Sequence, residues 1–231
     1  MILRDRFAYI VFGTVFLFVG LVATAIAVML RRSGARLLTW LGIWSAIEGV
    51  RYLFGSLGDL GLLPQRFNLS FSYLDNVLSY FVVVVAVLAF LQLSQDKLRP
   101  FLQGAILVGL AIAVAGVGFF VFTGSRYRLM FFNHLLAACC LAVLATVVAV
   151  PKLCHKFLIL PKRGVLAAGI FLFSMEAVYG NLSGPLGLKS PPEILDPLGF
   201  ALLLFCFGYA AARRLELISP PNGGFDSKGL C

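Results

Sequence analysis

Seven long apolar runs, separated by short polar breaks, constrain this chain more than any other feature. They cover residues 7–30, 37–54, 71–93, 101–122, 129–150, 164–182 and 195–212. A helix that crosses a bilayer needs about 20 mostly apolar residues, and each run approaches or exceeds that length. The runs are continuous, whereas the strands of a membrane barrel alternate polar and apolar positions over about ten residues. Hydrophobic residues make up 61% of the chain and charged residues 13%, with a mean hydropathy of +0.98. A soluble domain of this composition would lack the polar side chains to cover its surface. The expected fold is an all-α membrane protein, a seven-transmembrane-helix bundle occupying residues 1–214, followed by a short tail over 215–231 with no regular structure.

The breaks carry turn residues and charge. Examples are Arg31-Arg32-Ser33-Gly34, Asp96-Lys97-Leu98-Arg99-Pro100, Gly124-Ser125-Arg126 and Pro161-Lys162-Arg163. The net charge of +9 comes from basic residues in these breaks, which suits membrane orientation better than nucleic-acid binding. With the N-terminus outside, twelve of the 19 Lys and Arg residues fall in cytoplasmic segments and six on the other side, leaving Arg51 inside the second run. That balance predicts N-terminus out and C-terminus cytoplasmic, in a multi-pass protein of a cell inner membrane. Arg4 and Arg6 oppose it locally. The first run is too long for a signal-peptide core of roughly 7–15 residues, so it is expected to be retained. The five cysteines show no C-x-x-C spacing and form neither a disulfide framework nor a zinc site.

Ionisable residues at membrane depth are costly and mark the candidate site. Glu48 and Arg51 lie three apart in the second run and share a helix face. They form either a self-neutralising packing pair or part of a ligand site. Asp75 and Asn76 open the third run and Asp196 the seventh, where an acid also suits a helix dipole. Glu176 has no cation near it in the sixth run, so it must pair across helices, face water or hold a proton. His134, beside Asn133, begins the fifth run and reads either as a hydrogen-bonded packing residue or as a ligand contact. Together with Tyr179, these residues fall in the outer half of the expected topology, and the inner half holds almost nothing ionisable. A polar cavity open to one side fits that asymmetry, whereas a through-going ion path does not. Trp44, Tyr73 and Tyr80 read as ordinary membrane aromatics, and Ala105, Gly109 and Ala113 as a small-residue packing stripe.

A faint internal echo links the second and sixth runs. Glu48 and Glu176 are each followed by a Tyr (Tyr52, Tyr179), then by Asn-Leu-Ser, then by a Leu-Asp pair ending at Asp75 or Asp196. A three-plus-one-plus-three repeat is one reading and chance likeness of Leu-rich segments the other. The sequence contains no phosphate loop, nucleophile elbow or metal-ligand pair at helical spacing, so no enzyme activity, cofactor or metal is expected.

Three stretches taken together resemble a known class. Leu41-Gly42-Ile43-Trp44 leads into Glu48-Gly49-Val50-Arg51; Ser72-Tyr73-Leu74-Asp75 runs on to Tyr80; and Asp196-Pro197-Leu198-Gly199-Phe200 begins a run ending Gly208-Tyr209-Ala210-Ala211-Ala212-Arg213-Arg214. This is similar to the seven-transmembrane sensory region at the N-terminus of bacterial multi-domain signalling proteins, whose outputs are sporulation-type phosphatases, histidine kinases or cyclases. The resemblance implies a membrane receptor that binds a ligand in its bundle and signals to a cytoplasmic effector. The chain departs from that pattern after Arg214, where Ser219-Pro220-Pro221-Asn222-Gly223-Gly224 interrupts the signalling helix. Expected partners are the lipid bilayer, a cytoplasmic signalling effector and a second copy in a homodimer, with nucleic acid excluded. A small secondary transporter and a structural membrane subunit are the alternatives.

Overall fold

In the computed structural model the described residues are 2–30, 35–123, 129–158, 163–183, 187 and 194–218. They form eight helices: α1 (Ile2–Leu30), α2 (Ala35–Asp59), α3 (Gln65–Leu91), α4 (Arg99–Thr123), α5 (Met130–Ala149), α6 (Pro151–Phe157), α7 (Arg163–Ser183) and α8 (Leu195–Ile218). The expected tail over 215–231 starts too early, since α8 continues to Ile218; residues 219–231 and the break residues 31–34 and 124–128 lie outside the described residues.

Five helices are long and apolar enough to cross a membrane, namely α1, α3, α4, α5 and α7, so the chain is an all-α, multi-pass membrane protein. Two of the seven expected spans fall short of that standard. Glu48 and Arg51 dilute the apolar run of α2, and in α8 the stretch whose side chains are described, Leu195–Tyr209, is itself shorter than a span. Each lipid-type face is rich in exposed apolar side chains, such as Phe7, Phe18 and Met29 on α1 and Leu107, Val114 and Phe122 on α4. In water such a surface would be an extended apolar patch; in a bilayer it meets lipid tails.

Small residues bring α1 and α2 together. Gly13, Gly20 and Ala27 recur every seven residues on α1, as do Ala35, Gly42, Gly49 and Ser56 on α2, and all are buried. The two helices run antiparallel. A Cβ on Gly13 would stand 2.6 Å from the Leu53 backbone nitrogen, and one on Gly42 would stand 2.8 Å from the Gly20 carbonyl oxygen. Close backbone approach of this kind is how apolar helices gain dispersion energy where lipid competes equally for side chains. The Ser45 hydroxyl fastens the seam by donating to the Phe16 carbonyl at 2.8 Å.

The expected stripe on α4 is also a packing face: Ala105, Gly109 and Ala113 are buried. Gly109 meets Val84 of α3 and Leu136 of α5, and Gly116 receives the Tyr80 ring. Tyr80 is thus a packing residue of the α3–α4 seam.

Two expectations change. The segment read as a loop after the fifth run contains α6, started by Pro151 at its first turn, where a missing N–H costs nothing. Beyond it, Leu158 pairs with Ser94 in an isolated antiparallel bridge that ties α6 to the α3–α4 turn. Second, α3 begins at Gln65 behind Pro64, so Asp75 and Asn76 sit well inside the helix and not in its first turn. The dipole reading therefore fails for them and holds only for Asp196, which is in the first turn of α8.

Candidate functional site

Five helices, α2, α3, α5, α7 and α8, close around a cavity of about 270 Å³, while α1 and α4 pack outside the ring. Helical spacing explains which residues reach it. Trp44, Glu48, Arg51 and Tyr52 follow the i, i+4, i+7, i+8 stripe of α2, and Ser79, Val83, Ala86 and Val87 do the same on α3, with Phe90 one turn further on. From α5 come Asn133, His134, Ala137, Leu141 and Leu144. From α7 come Phe173, Ala177 and Asn181, each four apart, and from α8 come Asp196 and Phe200.

The polar residues gather towards one end of the bundle, where α2 and α7 finish and α3, α5 and α8 start. Arg51 is their hub. Its Nη1 donates to Glu48 Oε2 at 3.0 Å and its Nε to Asp75 Oδ1 at 2.9 Å, so the expected Glu48–Arg51 pair is a triad that joins α2 to α3. Tyr52 donates its hydroxyl to Asp196 Oδ2 at 2.6 Å and clasps α2 to α8. A second pocket of about 310 Å³, lined by Asp75, Asp59 and Ser72 among others, shares Arg51 and Tyr52 with the cavity.

At mid-depth the cavity ends on aromatic rings. Trp44 lies 5.0 Å from Phe200, 5.7 Å from Phe173 and 6.0 Å from Phe90, ring centre to ring centre, at tilted or edge-on angles. Such offset contacts are the favoured arrangement for ring quadrupoles. Beyond them the core is apolar, with Leu37, Leu93, Leu166, Ile170 and Phe207 fully buried.

Two buried polar atoms beside the cavity have no partner. Asn133 is 1% exposed; its Nδ2 donates to the Ser79 carbonyl at 3.0 Å, and its Oδ1 is unpaired. Trp44 is 3% exposed, and its indole N–H faces the Glu48 carboxylate without reaching hydrogen-bond geometry. Buried polar groups are nearly always paired, so two orphans on one cavity wall are unusual.

Of the eight residues picked out from the sequence, Glu48, Arg51, His134 and Asp196 line the cavity, and Asp75 joins them through Arg51. The other three do not. Asn76 turns back on its own helix and donates to the Ser72 carbonyl at 2.7 Å. Glu176 occupies the α7–α8 seam against Gly199, with Oε2 buried and unpaired. Tyr179 is exposed and lies outside the cavity lining. Glu48 and Glu176 thus occupy unlike surroundings, and Asp75 and Asp196 unlike helix positions, which removes the internal echo's support from the site. From the sequence Trp44 reads as a membrane aromatic, Tyr52 only as part of the internal echo, and Asn133 as one of the outer-half polar residues without a role of its own; the 44–48–51–52 spacing was the available signal. No family model matches the chain, and no curated protein or solved structure does.

Proposed function

We propose that this chain is a seven-span inner-membrane receptor that binds a small ligand in the α2–α3–α5–α7–α8 cavity and passes the signal through α8 to a cytoplasmic partner. In this reading α2 and α8 also cross the bilayer. The lower apolarity of α2 comes from the residues it turns inward, and a ring of five contacting helices hides those residues from lipid. The N-terminus is outside, which puts the cavity mouth on the extracytoplasmic side. One objection to that orientation softens, because Arg6 is paired with Asp59 at 3.1 Å.

The observation that carries the reading is the one-sidedness of the cavity. Its charged and polar groups lie towards one end, and Trp44, Phe90, Phe173 and Phe200 close it at mid-depth over an apolar half. A carrier needs polar groups or water along its whole path, while a receptor needs them only where the ligand sits. Binding that alters the Tyr52–Asp196 clasp would act on the first turn of α8, the helix that leads to the cytoplasm.

Sided labelling with an impermeant thiol reagent tests this in a cysteine-free background. Leu62→Cys is expected to label in intact spheroplasts, and Asp96→Cys only after lysis. Ala177→Cys, inside the cavity, is expected to label from the Leu62 side alone. Labelling of Ala177→Cys from both sides would replace the receptor with an alternating-access transporter. Reversal of the Leu62 and Asp96 pattern would overturn the orientation.

A further inference from the structure

We infer that the cavity accepts a small amphipathic organic cation, with an ammonium group held among Glu48, Asp196 and Asn133 and an apolar body resting on Trp44, Phe173 and Phe200. This rests on the receptor reading and names the chemical class of its ligand.

The first ground is charge. Among the described residues, Arg51 supplies the only Lys or Arg side chain in the cavity wall. Its guanidinium is already engaged, through Nη1 with Glu48 and through Nε with Asp75. Asp196 receives only the neutral hydroxyl of Tyr52. One guanidinium therefore faces three carboxylates, and Glu176 adds a fourth acid behind Gly199, three residues along α8 from Asp196. Glu48 is shielded from solvent and Asp196 stands at the exposed rim, so an unbalanced charge is costly at the inner acid, and a cation seated between the two restores the balance. An anion would find the only guanidinium already taken.

The second ground is independent of charge. Asn133 lines the same cavity, and its Oδ1 is a buried acceptor without a donor. An ammonium or amine N–H supplies the missing donor, and no group around it does so. A buried acceptor left unpaired is costly, so a ligand that pairs it gains affinity that a purely apolar guest cannot.

The third ground is the floor. Trp44, Phe90, Phe173 and Phe200 offer ring faces and edges within one cluster. Ring faces attract cations within about 6 Å and also accommodate an apolar body, so the polar and aromatic parts of the cavity suit two ends of one molecule. At about 270 Å³ the cavity is near the lower edge of small-molecule pockets, roughly 300–1,000 Å³, which limits the ligand to a ring and a short chain.

The experiment compares three probes of matched shape on the purified full chain in lipid nanodiscs at pH 7: phenethylammonium, 2-phenylethanol and 3-phenylpropionate. Binding is read by tryptophan emission, to which cavity-lining Trp44 contributes, and by the shift in thermal unfolding. Phenethylammonium is expected to bind saturably and to raise the unfolding temperature. The alcohol should bind at least tenfold more weakly and the carboxylate not at all. Asp196→Asn keeps the Tyr52 hydroxyl paired, and it should weaken the cation at least tenfold while leaving the alcohol unchanged. Should that variant fail to fold, the three-probe ranking on the wild-type chain decides alone. Equal affinity for cation and alcohol, preference for the carboxylate, or no binding by any probe overturns the proposal. An alcohol within tenfold of the cation, or a carboxylate that binds, would leave the ligand cavity in place and remove only its charge preference. The receptor reading itself is decided separately by the labelling of Ala177→Cys.

Discussion

Arg51 on α2 donates through Nε to Asp75 on α3 at 2.9 Å, a contact across 24 residues of chain that turns a local i, i+3 ion pair into a cross-helix triad. The consequence is an asymmetry between the two members of the local pair. Removing Glu48 leaves Arg51 with Asp75, whereas removing Arg51 strands both acids.

Arg51→Met is therefore expected to be the most destabilising single change at the site, approaching the roughly 3–5 kcal/mol seen when one partner of a buried pair is removed. The figure is an upper bound, because the Asp75 side chain is 40% exposed and partly screened. Glu48→Leu should cost clearly less. The Glu48→Leu/Arg51→Met double variant should recover only part of the Arg51→Met loss, since Asp75 stays unpaired. Thermal unfolding in detergent measures all three. Full recovery in the double variant would mean that Asp75 contributes nothing to the triad.

The Tyr52–Asp196 hydrogen bond joins α2 to α8 at 2.6 Å. Tyr52→Phe removes the donor and keeps the ring, which packs 5.3 Å from Tyr9 and 5.9 Å from Phe16. The expected cost is below the roughly 1.5–3 kcal/mol of a buried hydrogen bond to a charged group, because Asp196 is exposed and water competes for its carboxylate. Cysteines introduced on facing positions of α2 and α8 should also cross-link more slowly in the variant. Unchanged stability together with unchanged cross-linking would rule out a clasp.

The α1–α2 seam has no room for side chains. Gly49→Ala would place a Cβ 2.8 Å from the Gly13 carbonyl oxygen, against backbone that cannot move aside. A loss of roughly 1–3 kcal/mol is expected, the usual cost of overpacking. Gly118→Ala on α4 is the control, because nothing lies within 4 Å of its added Cβ. It should leave the unfolding temperature unchanged or raise it, since alanine is the better helix former. Equal effects of the two substitutions would contradict the close approach of α1 and α2.

Glu176 stands apart from the triad, in the α7–α8 seam, with Oε2 unpaired. Glu176→Gln preserves shape and removes the charge that no cation balances, so stability should change by less than about 1 kcal/mol or improve slightly. A large loss in the unfolding assay would make Glu176 a structural lock with a partner across the seam.

The placement of the long helices was legible in the residues because a membrane imposes it directly. An apolar run long enough to span must be a helix, since lipid offers no hydrogen bonds to an unpaired backbone. The seven runs correspond to α1–α5, α7 and α8, with ends displaced most where polar residues continue the helix, as at the start of α3. The short helix α6 was hidden because seven residues with two lysines and a histidine carry no apolar periodicity to read. The α1–α2 seam was also present in the sequence, in glycines and small residues recurring every seven positions.

The site divided differently. That Glu48 and Arg51 share a face follows from a helical spacing of three and needs no tertiary information. That Asp75 joins them, that Tyr52 reaches Asp196 across 144 residues, and that Asn133 is left with an empty acceptor depend on how five helices are arranged around one another. The same arrangement turns Asn76 onto its own helix and Glu176 into a seam. A run of apolar residues records that a helix will be inside the bilayer, because hydrophobicity is a property of the run itself. Which of its faces meets a neighbour is settled by small-residue stripes and ion pairs acting between helices, and only the packed bundle brings both members of each pair together.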